Sequence, residues 1–314
     1  MLSKPAGKSN IRLTMEPSHE HPVEESQRLL KIGIALTFGI FLLEFLGGLF
    51  AGSLALLSDA WHIFIDIWAL VLSFLAITLA KRPVDDRRTY GLHRMEVLAA
   101  LLNGLTVFLI ASGIIYAAVK RLMHPHPVQN NWLLLFSGTG LVLNVLVAGL
   151  FYKQSHHDLN MHGAFLHLMG DALNTLAVLV AGVLMKWTGI WRIDPVVSLL
   201  TAGLVLWSAG RLLRDSMNTL LEGVPPTIAV ANVEKEILDI RGVVSVHDLH
   251  VWSICSHLKA LSGHVTLQSD QMTNQHDVLD SIGDTLKQRF GIVHTTIQVE
   301  SEAWPKMDET RSAT

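Results

Sequence analysis

The sequence has little cysteine and little charge, and each shortage excludes a class of protein. The single cysteine among 314 residues, Cys255, excludes an intramolecular disulfide and fits a reducing compartment. Its place at the end of a predicted strand indicates a small buried hydrophobic side chain rather than a reactive thiol. The net charge of −3 says nothing about nucleic acid, but the sequence has no basic tract of the kind that binds phosphate backbones.

Charged residues make up only 16% of the chain, whereas soluble domains carry roughly 25%. Half of the residues are hydrophobic, and they form runs close to the 20 or so residues that a helix needs to cross the hydrocarbon core of a membrane. We therefore predict six spanning helices, at Ile32–Ala51, Leu54–Ala80, Val97–Val119, Trp132–Tyr152, Ala164–Leu184 and Val196–Leu212.

The distribution of Lys and Arg predicts the orientation of these helices. Positive charges are frequent before the first span and between the second and third, and there are none between the first and second. Because positively charged loops stay on the cytoplasmic side, both termini are predicted to be cytoplasmic.

Two of the predicted spans contain the same polar pair, His-x-x-x-Asp. His62 and Asp66 lie in the second span, and His167 and Asp171 lie in the fifth. The spacing places both members of a pair on one face of a helix, and each ionisable residue costs at least about 2.5–3.5 kcal/mol in mid-membrane, so all four need partners. Two imidazoles and two carboxylates form a closed tetrahedral site for a divalent metal, with zinc the first candidate. The alternative is two unrelated helices whose polar residues hydrogen-bond to neighbours.

The chain after the spans is an ordinary soluble sequence. Its hydrophobic periodicity predicts the order α-β-β-α-β, and therefore a small two-layer α+β unit. We predict five segments along the chain: a disordered cytoplasmic tail at 1–28, a transmembrane domain at 29–215, a linker at 216–226, a cytoplasmic domain at 227–302 and a polar tail at 303–314.

Several motifs in order along the chain resemble the cation diffusion facilitator family, in its zinc-transporting branch. They span about Leu29 to Ser301, and as a set they are far more specific than one short motif. The matching segments are Gly52-Ser-Leu-Ala-Leu-Leu-Ser-Asp-Ala-Trp-His62, Arg88-Thr-Tyr-Gly-Leu-His-Arg94, His167-Leu-Met-Gly-Asp171, Asp194-Pro195 and His247-Asp-Leu-His-Val-Trp252.

The resemblance implies a homodimer of six-helix protomers with a ferredoxin-like cytoplasmic domain, which exports divalent metal in exchange for protons. It assigns the transport site to the same four residues, His62, Asp66, His167 and Asp171. A ligand His must be neutral and a ligand Asp ionised, so protons and metal compete for one site. A His on each helix favours Zn²⁺, with Cd²⁺, Co²⁺ and Ni²⁺ as a broader alternative cargo.

Other polar residues in the spans are candidates for supporting roles. Asp59 lies on the same helix face as His62 and Asp66. It either supports the metal ligands from outside the coordination sphere, lines the entrance to the site, or makes a capping or loop contact at the start of the second helix. Glu44 orients a ligand or carries a proton. Asn144 is predicted to hydrogen-bond between helices.

The C-terminal domain is rich in histidine, and strand alternation places His264 and Glu300 on a common surface. The resemblance implies additional zinc sites there, at positions that match His247, His264, His276, His294 and Glu300. Where some relatives have a further ligand His, this chain has Gln298, which argues against a full two-metal cluster. The alternative is a set of pH-sensitive surface histidines.

Two functions of other classes fit the sequence less well than zinc/proton antiport. An intramembrane zinc hydrolase needs an open coordination position and a general base, but four protein ligands close this site and no His-Glu-x-x-His is present. A metal sensor would use the C-terminal domain as output, which contains no recognisable catalytic or DNA-binding segment. The expected setting is a bacterial inner membrane, with Zn²⁺ and H⁺ as transported ions and lipid as the surroundings.

Overall fold

The computed structural model describes residues 21–155, 159–271 and 274–302. Six of its helices are long and apolar enough to cross a membrane, as predicted. Many of their large apolar side chains are exposed, as expected of helices that face lipid. The helices are α1 (His21–Ala51), α2 (Leu54–Ala80), α3 (Arg94–Met123), α4 (Asn130–Ser155), α5 (Leu159–Thr188) and α6 (Ile193–Leu220).

The chain divides into two compact units, and the first comprises residues 1–63 and 128–189. Within it α4 packs on α5 and α1 packs on α4. The turn from α1 to α2 depends on Gly52, which has φ +65°. Ser53 then caps α2 by accepting a hydrogen bond from the backbone N–H of Leu56 at 3.1 Å. The turn thus sets where α2 starts, and with it where His62 lies.

The second unit comprises residues 64–127 and 190–314. In its membrane part α3 packs on α6. The end of α3 is joined to the start of α6 by Arg121, whose Nη1 lies 3.3 Å from Oδ2 of the fully buried Asp194. Pairing is what makes a fully buried carboxylate tolerable there.

The C-terminal domain has the predicted α-β-β-α-β order. It consists of α7 (Val230–Leu238), β1 (Val243–Cys255), β2 (Leu258–Leu267), α8 (Gln275–Phe290) and β3 (Ile292–Ser301). The sheet order is β1-β2-β3, antiparallel between β1 and β2 and parallel between β2 and β3. Apolar side chains of both helices pack with those of the sheet in one core, which includes Val233, Ile237, Val251, Leu261, Ile282 and Leu286.

Two predicted segment limits differ from the observed helices. The helix α1 begins at His21, although disorder was predicted to residue 28. A proline in the first turn, Pro22, costs no helical hydrogen bond. The helix α6 continues to Leu220, five residues into the predicted linker, because the first residues that cannot continue a helix are Gly223 and the prolines after it. The predicted tails at 1–20 and 303–314 lie outside the described residues.

Candidate metal centres

Three of the four predicted transport ligands belong to the first unit. His62 lies on α2, and His167 and Asp171 lie one turn apart on α5. The ligand atoms of His62 and Asp171 are within 4.8 Å of each other. The Nε2 of His167 lies 3.9 Å from Oδ2 of Asp171, whose side chain is 7% exposed. Asp171 therefore lies within reach of both imidazoles.

His167 is the outermost of these residues, with 53% of its side chain exposed. Two N or O ligands of one tetrahedral zinc are about 3.4 Å apart, given metal–ligand distances near 2.0–2.2 Å. Its separation from Asp171 exceeds that value by half an ångström, which a small side-chain rotation removes. The fourth predicted ligand, Asp66, follows His62 by one turn of α2 and is half-buried.

A buried polar network lies one turn away from His62 and Asp171. Its centre is the fully buried Thr175 on α5, whose Oγ1 lies 2.8 Å from Oδ2 of Asp59 on α2. The Nδ2 of Asn174 donates to Oδ1 of the same carboxylate at 2.5 Å. Asp59 therefore connects α2 to α5, and this connection aligns the helix turns that present His62 and Asp171.

The network continues to α4 and α1. Asn144 on α4 donates from Nδ2 to Thr175 Oγ1 at 3.1 Å, which confirms its predicted interhelical hydrogen bond. Glu44 on α1 places Oε1 3.3 Å from the same hydroxyl. Gly140 on α4 leaves room for Glu44, because a Cβ at this position would lie 2.6 Å from Glu44 Oε1. Four helices of the first unit thus meet at one hydroxyl group.

A second cluster lies on the sheet of the C-terminal domain. His247 on β1 is opposite His264 on β2, and their ring centroids are 5.1 Å apart. Glu300 on β3 accepts at 2.8 Å from Nδ1 of His264, and its Oε2 lies 3.3 Å from Nε2 of His247. The prediction that His264 and Glu300 share a surface is confirmed. Gln298 donates to Glu300 at 3.1 Å and so occupies one of its oxygens.

The other two histidines predicted for zinc sites in this domain lie apart from this cluster within the described residues. His294 is exposed on β3 and pairs in register with Ala260, four residues before His264 on β2. At about 3.3 Å per residue this places it some 13 Å away along the strand. His276 is exposed in the first turn of α8. The strand rise therefore separates His294 from His264, and the roles of His276 and His294 in additional zinc sites stay predictions.

Comparison with known proteins agrees with this architecture. Residues 30–221 match the cation efflux transmembrane domain, and residues 225–302 match the cytoplasmic domain of cation efflux proteins. The chain belongs to the cation efflux, or cation diffusion facilitator, family. Its relatives include zinc transporters, so it belongs with the zinc-transporting branch and is a multi-pass membrane transporter of metal cations rather than an enzyme.

Three relatives illustrate the similarity. The "Cadmium, cobalt and zinc/H(+)-K(+) antiporter" of Bacillus subtilis is 36% identical over 93% of this chain and 98% of its own. The "Metal cation efflux system protein CzcD" of Cupriavidus metallidurans is 38% identical over 90% and 89%. The "Zinc transporter ZitB" of Escherichia coli is 36% identical over 91% and 93%.

Sequence reasoning missed two residues that support the site, Thr175 and Asn174. Their only signal was their position, since Asn174 follows Asp171 by three residues and Thr175 follows it by four. Hydroxyl and amide side chains also form ordinary hydrogen bonds between transmembrane helices. The contact with Asp59 depends on how α2 and α5 pack in three dimensions.

Proposed function

We propose that this protein exports divalent metal, chiefly Zn²⁺, from the cytoplasm in exchange for protons. The transport ligands in this proposal are His62, Asp66, His167 and Asp171. The observation that carries it is that three of these residues lie together in the first unit. The ligand atoms of His62 and Asp171 are within 4.8 Å of each other, and Nε2 of His167 lies 3.9 Å from Oδ2 of Asp171. The name of the Bacillus subtilis relative, an antiporter for zinc and H⁺, also supports it.

The ligand chemistry explains how such a site releases its ion. Zinc needs neutral imidazoles and ionised carboxylates, so each proton that binds removes a lone pair from the metal. On the more acidic side of the membrane the ligands are protonated and the metal leaves, and on the cytoplasmic side they lose protons and bind metal again. Alternating access to a site near mid-membrane makes the two steps an exchange.

The buried network holds the ligands in place in this mechanism. Asp59 accepts a hydrogen bond from Asn174, and its other oxygen lies 2.8 Å from the Thr175 hydroxyl. Oε1 of Glu44 lies 3.3 Å from the same hydroxyl. We assign Asp59 a positioning role through Thr175. Glu44 is positioned by the same hydroxyl, and its burial among four helices suits either positioning or proton transfer.

The metal preference follows from the ligand types. Imidazole on both helices favours Zn²⁺ over Mg²⁺ or Mn²⁺, which prefer oxygen. Cd²⁺, Co²⁺ and Ni²⁺ remain a broader alternative cargo, and the names of the cadmium and cobalt transporters among the relatives favour the first two. Our proposed setting is a bacterial inner membrane with both termini in the cytoplasm.

The sheet cluster of His247, His264 and Glu300 is proposed as an additional zinc site. The 3.3 Å between Nε2 of His247 and Oε2 of Glu300 is close to the separation of about 3.4 Å for two ligands of one tetrahedral zinc. Zinc there would stabilise the sheet by joining its three strands. A homodimer is proposed from the match to the dimerising cytoplasmic domain of the family.

The decisive experiment is zinc uptake into proteoliposomes that carry an imposed pH gradient. Wild type is compared with Asp171→Ala, and Asp86→Ala, a change of an exposed loop carboxylate, is the matched control. We expect gradient-dependent uptake in wild type and control and none in Asp171→Ala, with all three eluting alike in gel filtration. Uptake that ignores the gradient would refute proton coupling, and normal uptake by Asp171→Ala would refute the site.

A further inference from the structure

A third group of side chains that can ligate a metal lies in the second unit and shares no residue with the two sites above. His93 immediately precedes α3, Cys255 is the last residue of β1, and His257 lies in the turn between β1 and β2. Their ligand atoms all lie within 4.8 Å of one another. We propose that His93, Cys255 and His257 bind a divalent metal ion of the zinc and cadmium type.

The distances suit a shared ion. With Zn–S near 2.3 Å and Zn–N near 2.0–2.1 Å, a sulfur and a nitrogen on one tetrahedral zinc are about 3.5 Å apart. The Sγ of Cys255 lies 3.6 Å from Nδ1 and 3.7 Å from Nε2 of His257. The rings of His93 and His257 are perpendicular, with centroids 6.0 Å apart, so both can direct a nitrogen at one point. The side chains need only small rotations to coordinate.

Burial supports a ligand at this place. The Nδ1 of His93 is buried and has no hydrogen-bond partner among the described residues. A buried polar atom without a partner costs about 1–3 kcal/mol, and a metal ion would remove that cost. Cys255 is fully buried as well, whereas 64% of the His257 side chain is exposed. The exposed imidazole gives an ion a path from solvent to the buried thiol.

A carboxylate completes the group. Glu96, in the first turn of α3, places Oε2 3.8 Å from Nδ1 of His257 and accepts a hydrogen bond from Ser256 at 3.4 Å. Together with the thiolate of Cys255 it supplies two negative charges, which match the charge of a divalent ion. The four side chains form a Cys-His₂-Glu set, which is a normal zinc ligand set.

The thiolate distinguishes this site from the transport site. A sulfur ligand favours softer ions, so the affinity for Cd²⁺ rises relative to that for Zn²⁺ at this site. The imidazole and carboxylate ligands of the proposed transport site offer no such preference. Because the ligands come from the start of α3 and from the β1–β2 turn, a bound ion would connect a membrane helix to the sheet. This inference does not depend on the antiport mechanism.

The test uses Co²⁺ alone as the probe, on the purified full-length protein in detergent. A cobalt thiolate bond produces charge-transfer absorption in the near ultraviolet, and Cys255 is the only cysteine, so the band reports this site and no other. Wild type is compared with Cys255→Ser and with the double variant His93→Ala, His257→Ala, which keeps the thiol. The control is His126→Ala, which removes an exposed histidine elsewhere.

We expect a saturable band in wild type and in His126→Ala, no band in Cys255→Ser, and at least tenfold weaker cobalt binding in the double variant. Asp171→Ala should keep the band, which separates this site from the transport site. A wild-type protein without the band at saturating Co²⁺ would overturn the proposal. A double variant with wild-type cobalt affinity would also overturn it, because the sulfur would then bind cobalt without the histidines.

Discussion

Removal of the Thr175 hydroxyl is the sharpest test of how the fold supports the transport site. The hydroxyl receives a hydrogen bond from Asn144 at 3.1 Å and lies 2.8 Å from the carboxylate of Asp59. Thr175→Val keeps the branched shape and removes both interactions. The matched control is Thr175→Ser, which keeps the hydroxyl and loses a methyl group.

The expected loss has two parts. Hydrogen bonds between transmembrane helices contribute about 0.6 kcal/mol on average and up to about 1.7 kcal/mol, so two of them amount to roughly 1–3 kcal/mol of stability. The second part is zinc affinity, because groups that orient metal ligands typically change it about 10–100-fold. Thr175 acts through Asp59, one turn from His62, and so we expect a decrease near tenfold.

The assays are thermal unfolding and zinc titration of the purified protein in detergent. Thr175→Val should be less stable and bind zinc more weakly than Thr175→Ser, which should stay close to wild type. If Thr175→Val binds zinc as wild type does, the network does not position the ligands. If Thr175→Ser is as impaired as Thr175→Val, the methyl packing and not the hydrogen bonds carries the effect.

Two further substitutions test the packing of α4 and the sheet cluster. Gly140→Ala should lower the free energy of unfolding by about 1–3 kcal/mol, because the new Cβ would lie 2.6 Å from Glu44 Oε1. The control Gly149→Ala, whose Cβ would have nothing within 4 Å, should be neutral or slightly stabilising. Equal melting temperatures for the two variants would contradict the close approach at Gly140. Zinc at a hundred times its dissociation constant adds about 2.7 kcal/mol of stability for one site. In thermal unfolding with zinc compared with chelator, Glu300→Gln should lose stabilisation of that order, whereas Glu302→Gln, at an exposed position, should keep it. A Glu300→Gln variant that zinc stabilises as it does wild type would refute zinc binding by the cluster.

Sequence reasoning succeeded where one physical constraint decides the pattern. Hydrocarbon thickness requires long apolar runs, so the six helices were visible in the sequence. Strand alternation correctly predicted that His264 and Glu300 share a surface. The distance of His294 from His264 along the sheet depends on the register between β2 and β3, which no local pattern encodes. The helix α1 starts within the predicted tail, and α6 extends into the predicted linker, because a helix continues past the membrane span until residues such as Gly223 end it.

The sequence by itself determined which residues have the chemistry to bind metal, because an ionisable side chain in a membrane helix is costly and a spacing of four residues places His and Asp on one face of a helix. Only the tertiary structure decided which of them meet. The approach of α5 to α2 brings Thr175 to Asp59, and the approach of the β1–β2 turn to α3 brings Cys255 to His93. These pairs are separated by more than a hundred residues in the chain, so packing between distant elements, and no local propensity, creates both sites.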